Sequence, residues 1–254
     1  MHSDLIFKLK SLAEKYETSA FLEKDPSQFM HRFTNPIEQE LVAFIAASLS
    51  FGRREQILSH IQLILDECKN HVLEWTINGS YNDFFTQSDK SFYRMFTHNQ
   101  LKTFFNQLSL FIKSHGSLGK YFRSLYEKQS ACNPDIYLHQ VICSCFPNEC
   151  SLIPHTAATS AKRVNMFLRW MVRDNSPVDL GLWDWYKKSR LLMPLDTHVM
   201  QEATSLEILE PSANGKPKSA SLKTAVELTK KMSVVFPDDP VKADFALFGL
   251  GVDN

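Results

Sequence analysis

Glycine is scarce in this chain, with 8 in 254 residues, and no series of alternating apolar and polar residues reads as strands. Net charge is absent too: 28 Lys and Arg offset 28 Asp and Glu. That excludes a strongly basic coat for nucleic acid but leaves room for a local basic cleft, because the field that matters is local. No apolar run approaches the ~20 residues that span a bilayer. The first residues, Met1–Lys15, are charged throughout and lack the apolar core of an export signal. The expectation is a cytoplasmic protein with no membrane partner. Of five cysteines, Cys132, Cys143, Cys145 and Cys150 cluster, yet no C-x-x-C pair occurs. An odd number without an export signal predicts reduced thiols, read as small apolar core residues and not as metal ligands. Internal repeats and long low-complexity tracts are missing.

What is present is 44% hydrophobic residues in a helical pattern. Asn35-Pro36-Ile37-Glu38 reads as a helix start, with Asn35 as cap, Pro36 in the first helical position and Glu38 completing a capping box. That helix runs through Leu41, Phe44, Ile45 and Leu49 to a stop at Gly52, and Arg53 and Arg54 open the next. Asn78-Gly79 reads as a turn. Helices are expected over about 89–97, 99–113, 118–128 and 134–145, with boundaries good to ~2–4 residues. Another is expected over Leu222–Met232, and the last begins at Asp239-Pro240 and stops at Gly249 or Gly251. The fold class is all-α.

Two segments carry a specific chemistry. In Ser160–Arg173, S-A-K-R-V-N-M-F-L-R-W-M-V-R, the residues Lys162, Asn165, Arg169 and Arg173 are spaced by three, four and four. On a helix they form one stripe. Between 160 and 196 there are seven bases and four acids, which suggests a surface facing phosphate with Lys162 at its edge. Trp170, Trp183 and Trp185 lie in the same region and read as packing residues. In the second segment, Met193–His198, M-P-L-D-T-H, Asp196 stands where the cap of a helix over Val199–Leu209 belongs. A carboxylate there can also face a cleft and stabilise positive charge on a sugar as its base departs. His198 is expected on the new helix.

At these residues the chain resembles the helix-hairpin-helix DNA glycosylase superfamily, which includes endonuclease III and the 8-oxoguanine glycosylases. The superfamily's V-D-T-H turn is similar to L-D-T-H here, so the resemblance implies that Asp196 is catalytic. It also implies that Lys162 is the upstream lysine that attacks the sugar in bifunctional members. The 34 residues from Lys162 to Asp196 look more like the archaeal 8-oxoguanine branch. The segments Asn35–Arg53, Ser160–Arg173 with Met193–His198, and Asp239–Gly251 also resemble a bacterial family of conserved hypothetical proteins, over most of the chain. The family's hairpin, L-P-G-x-G, is represented by Leu152-Ile153-Pro154-His155-Thr156-Ala157-Ala158-Thr159, which lacks the glycines. Its grip on phosphate would therefore be altered. No cysteine follows Cys150, so no iron–sulfur cluster or other cofactor is expected.

The resemblance implies a single two-lobed helical unit. Residues about 1–34 and 200–254 would form one side, residues about 36–195 the other, with a cleft between them. It implies a monomer acting on double-stranded DNA that contains a modified purine of the 8-oxoguanine type, turned out of the stack. Lys162 and Asp196 would be catalytic. Arg53, Arg54, Arg163, Asn165, Arg169, Arg173 and His198 would contact DNA. Two alternatives stand beside this expectation: a nucleic-acid-binding module with the same fold and no chemistry, and a helical protein-interaction scaffold.

Overall fold

The computed structural model describes residues 1–155 and 159–253. The chain is mostly helical and divides into two compact units. One, here the terminal unit, combines Met1–Glu23 with Thr156–Asn254; the other, the middle unit, is Lys24–His155. The expected grouping is corrected in one respect. The Lys162 helix and the Asp196 turn fall with the two chain ends, not with the middle helices.

The first helix, α1 (Ser3–Tyr16), belongs to the terminal unit. The middle unit is built around α2 (Pro36–Leu49), which starts where its sequence predicts: the Asn35 side chain accepts from Ile37 N at 3.0 Å and Pro36 occupies the first turn, but this cap to the second helical residue stands in place of the expected capping box with Glu38. From Glu40 to Leu49 every residue of α2 is buried. Around it lie α3 (Arg54–Glu67), α4 (Val72–Asn78), α5 (Tyr81–Phe84), α6 (His98–His115), α7 (Leu118–Cys132) and α8 (Leu138–Ser144). Phe44 of α2 stacks on Phe104 at 5.6 Å and lies 5.8 Å from Phe146. A second aromatic group joins Trp75, Tyr81, Phe85 and Phe105. Each such pair contributes about 0.5–1.5 kcal/mol beyond its buried area. Glu40, though buried, accepts from Gly119 N at 3.0 Å in the first turn of α7, where the helix dipole favours a carboxylate.

The helix expected over 89–97 is instead a short antiparallel hairpin, β1 (Ser91–Tyr93) and β2 (Phe96–Thr97). Ser-Phe-Tyr and Phe-Thr are strand-forming residues, and the turn between them puts Arg94 in the left-handed region, φ 52°. Local β preference here outweighs the helical periodicity on which the expectation rested.

The terminal unit adds to α1 the helices α9 (Lys162–Val172), α10 (Thr197–Ser205), α11 (Leu222–Met232) and α12 (Ala243–Asp253). The expected stop at Gly249 or Gly251 does not occur, because α12 runs through both. Their role is close approach. A Cβ at Gly249 would lie 2.3 Å from the Tyr16 ring of α1, and one at Gly251 would lie 2.8 Å from His198 Cβ of α10. Among the described residues no helix is long and apolar enough to cross a membrane.

None of the five cysteines is in a disulfide, and Cys68, Cys143 and Cys150 are buried. Burial pushes the Cys145 thiol up to about 12 and the Cys68 thiol up to about 11, which makes both poor nucleophiles. His139 of α8 is 2% exposed, and its Nδ1 has no hydrogen-bond partner among the described residues. Burial lowers its pKa from 6.5 to about 4. The folded state therefore binds a proton at His139 less readily than the unfolded chain. The stability this confers is complete above pH 6.5 and is lost as pH falls towards 4, by roughly 3 kcal/mol. Replacing His139 by Leu should remove that part of the acid sensitivity. Urea midpoints measured at intervals between pH 7 and pH 4 should fall less steeply for His139→Leu than for the parent protein.

Candidate functional site

The helix that carries Lys162 begins abruptly. Ala161, its N-cap, is buried and left-handed at φ 43°, ψ 46°. An L-residue in that region costs about 1–2 kcal/mol, and such strain collects at functional sites. The surrounding hydrogen bonds hold it there: Ala161 N donates to Thr159 Oγ1 at 3.2 Å, and Ala161 O accepts from Asn165 N at 2.9 Å. The Asn165 side chain donates to Ser160 O at 2.7 Å. The expected DNA contact at Asn165 is therefore corrected. Its side chain is 2% exposed and braces the turn that aims Lys162.

The Asp196 turn is fixed from the other direction. Pro194 and Leu195 are buried, and Met193 N donates to Thr229 Oγ1 of α11 at 2.9 Å. Asp196 is the N-cap of α10, with Oδ1 accepting from Val199 N at 2.8 Å. Its other oxygen, Oδ2, lies 3.1 Å from Lys162 Nζ. The two side chains keep 35% and 14% of their surface exposed, so a solvent-borne molecule can reach the pair. Two residues far apart in sequence thus meet, and the capping and pairing duties of Asp196 fall on different oxygens.

The basic stripe expected along α9 is also corrected. Arg169 and Arg173 are 3% and 1% exposed, and both point into the protein. Arg169 Nε donates to Asp179 Oδ1 at 3.2 Å and Nη1 to Asp244 Oδ2. Arg173 Nη1 donates to Asp179 Oδ2, Nε donates to both Asp239 oxygens at 2.9 Å, and Nη2 donates to Asp239 Oδ2 at 2.8 Å and is ion-paired with Glu17 Oε1, also 2.8 Å away. The Phe245 ring lies under both guanidinium groups, at 4.4 and 5.3 Å. Buried charge survives only when paired and hydrogen-bonded, and these arginines spend their donors on carboxylates. Although burial opposes its charge, Arg173 is held protonated by Asp179, Asp239 and Glu17. Asp244 is pushed up to about 6 by burial, against the pull of Arg169. Asp196, a like charge, raises it further and Lys162 lowers it.

Of the other expected contacts, Arg163 is half-buried and His198 is exposed on α10, where it borders Gly251. Arg53 is exposed and Arg54 half-buried, both in the middle unit. Part of the degenerate hairpin, Thr156–Ala158, lies outside the described residues. Sequence reasoning missed Glu17, Asp179, Asp239 and Asp244. The available signal was two arginines four apart on a strongly amphipathic helix, in a chain with as many acids as bases. A shallow cleft of about 330 Å³ in the terminal unit is lined by Asp174, Asp184, Lys187, Lys188 and Asp238, and it contains neither Lys162 nor Asp196. Among the described residues no group of three or more His, Cys, Asp or Glu is arranged to hold a metal ion.

The chain belongs to the family described as Protein of unknown function (DUF2400), whose model matches residues 25–253. That span takes in α9, the Asp196 turn and most of the buried charge network, but not Glu17. No curated protein and no solved structure matches the chain.

The two kinds of charge should respond differently to substitution. Asp179→Asn leaves two buried guanidinium groups short of a counter-charge and should cost about 3–5 kcal/mol. Asp196→Asn keeps an oxygen for the cap and gives up a half-exposed ion pair, at under about 1 kcal/mol. Asp196→Ala loses the cap as well, adding about 1 kcal/mol. Denaturant unfolding of the three variants beside the parent measures the order.

Proposed function

We propose that this protein is a lysine-dependent base-excision enzyme, a DNA glycosylase with associated strand cleavage, acting on a modified purine of the 8-oxoguanine type in double-stranded DNA. The observation that carries the reading is the 3.1 Å approach of Lys162 Nζ to Asp196 Oδ2 at a solvent-accessible position. An amine and a carboxylate in that relation are the two groups that the chemistry requires. The resemblance of L-D-T-H and the upstream S-A-K-R segment to the glycosylase motifs supports the same assignment.

In the proposed reaction the neutral amine of Lys162 attacks C1′ of the sugar. The C1′–N bond breaks, and its electron pair leaves with the base, which is protonated. Asp196 Oδ2 takes up the proton released by the attacking amine and stabilises positive charge at the sugar in the transition state. The C1′ adduct still holds the ring oxygen; the C1′–O4′ bond then breaks, O4′ takes a proton from solvent, and the lysine nitrogen lone pair forms the iminium at C1′. The iminium makes a C2′ proton acidic, and its loss breaks the C3′–O bond and expels the 3′ phosphate. The left-handed Ala161 and its bracing by Asn165 fix the backbone from which the lysine stem extends, which supports the reading because attack depends on orientation.

Incubation with an 8-oxoguanine duplex and borohydride should give a covalent protein–DNA adduct. Lys162→Ala should form none. Asp196→Asn, which retains the helix cap, should slow adduct formation by about 10²–10⁴-fold while the protein stays folded. Failure of the folded parent protein to form an adduct with a broad panel of modified bases would overturn the enzymatic reading. DNA binding without adduct would then favour a module that binds and does no chemistry.

A further inference from the structure

Exposed apolar side chains in the middle unit include Phe51, Leu63, Met95 and Leu110. Phe51 and Met95 stand out because two loops far apart in sequence bring them, with arginines, to one patch. Phe51 follows α2 in the segment Phe51-Gly52-Arg53-Arg54, and Met95 shares the hairpin turn with Arg94. The Arg94 guanidinium lies 5.0 Å from the centre of the Phe51 ring. Beneath them, Tyr93 Oη donates to Phe51 O at 2.6 Å. Gly52, at φ 110°, lets the loop close on the hairpin: a Cβ there would sit 2.9 Å from Arg94 Nη1 and 3.1 Å from Tyr93 Oη. The hairpin is stiffened in turn by His60 of α3, whose ring lies 4.4 Å from Tyr93 and 5.5 Å from Phe92.

The result is an aromatic ring, 41% exposed, mounted on a rigid support with the Arg94 guanidinium against it; Arg53 and Arg54 follow it in the same loop, with Glu55 the neighbouring acid. Leaving such a ring in water is unfavourable, and so is ordering the loop that displays it. A ring with one cation against it and two more in its own loop matches one ligand chemistry closely. Unpaired bases offer flat π faces, and the phosphates on either side offer negative charge. We propose that this patch is a nucleic-acid contact in which Phe51 stacks on an unpaired base of a single strand while Arg53 and Arg94 hold the flanking phosphates. It goes beyond the lysine chemistry of the terminal unit and does not depend on it.

Fluorescence anisotropy with labelled oligothymidine and with a matched duplex, at several salt concentrations, tests the proposal. The full chain should bind the single strand more tightly than the duplex. Phe51→Ala should weaken single-strand binding by about tenfold. Phe51→Tyr, which restores the ring, should bind within about twofold of the parent. Arg53→Ala should weaken binding and also flatten its salt dependence by about one phosphate contact. Leu110→Ala, at a more exposed apolar position on α6, should have no effect. Binding unaffected by Phe51→Ala, or no salt-dependent binding of any strand by the folded parent, would overturn the proposal; the latter would point to a protein partner for the patch. An adduct without Phe51-dependent binding would remove this inference alone. Phe51-dependent binding without an adduct would remove the lysine mechanism alone.

Discussion

The terminal unit is organised by the burial of two guanidinium groups. Arg169 and Arg173 sit one helical turn apart on α9, and the carboxylates that neutralise them come from four different places: Glu17 beyond α1, Asp179 in the irregular segment after α9, Asp239 before α12, and Asp244 within it. Charges cannot be left unpaired in an interior. The segments carrying those acids must therefore be in position for α9 to be buried at all. This does not make the network a large source of stability, since desolvation offsets most of the attraction. What it supplies is specificity. An apolar contact tolerates sliding, whereas two planar forks sharing Asp179 tolerate few alternative arrangements.

That constraint reaches Lys162 along the helix. Lys162 opens α9, seven residues before Arg169, so fixing the one fixes the axis on which the other stands. The Asp196 turn is fixed separately, by the bond from Met193 N to Thr229 and by the cap that Asp196 Oδ1 provides for α10. The pair is thus assembled from two rigid supports, with only the lysine stem free to move. A catalytic pair benefits from that arrangement, because pre-organised groups need not be ordered during the reaction. Helix capping also leaves one carboxylate oxygen uncommitted. Capping and ion pairing are compatible duties for Asp196 because a carboxylate has two acceptors and the first turn of α10 uses one of them.

The sequence was most legible where local rules act alone. Asn35-Pro36 fixed the start of α2, and the amphipathic stretch Leu222–Met232 appeared as a helix with the bounds expected of it. The Lys162 and Asp196 segments were also singled out from motif and position. What could not be read was which way a polar stripe faces. Spacing placed Lys162, Asn165, Arg169 and Arg173 on one side of a helix, and helical geometry alone cannot say whether water or carboxylates meet that side. The stripe in fact passes from half-exposed Lys162 to interior Arg173. The partners lie between six and 156 residues away in sequence, a separation at which single-chain patterns say nothing. Gly249 and Gly251 misled for the same reason. Glycine ends helices in isolation, but here the absent Cβ admits Tyr16 and His198, and the helix continues.

Asp244 joins the buried network to the exposed pair. It accepts from Arg169 on one side and feels the charges of Asp196 and Lys162 on the other. Glu17, Asp179, Asp196, Asp239 and Asp244 face Lys162, Arg169, Arg173 and Lys242, so the group carries one more acid than base. Burial raises the Asp244 pKa to about 6, and the Asp196 charge adds to the effect, so Asp244 holds its proton more firmly than an exposed carboxyl does. Scaffold and site are therefore not electrically independent. Adding or removing charge at Asp196 or Lys162 alters the balance that Arg169 and Asp244 share, and a change inside the network alters the field at the pair. Asp196→Asn and Asp196→Ala differ in whether the cap survives, yet both delete the same charge. The contrast between them isolates the cap from the electrostatics, because the charge change is common to the two.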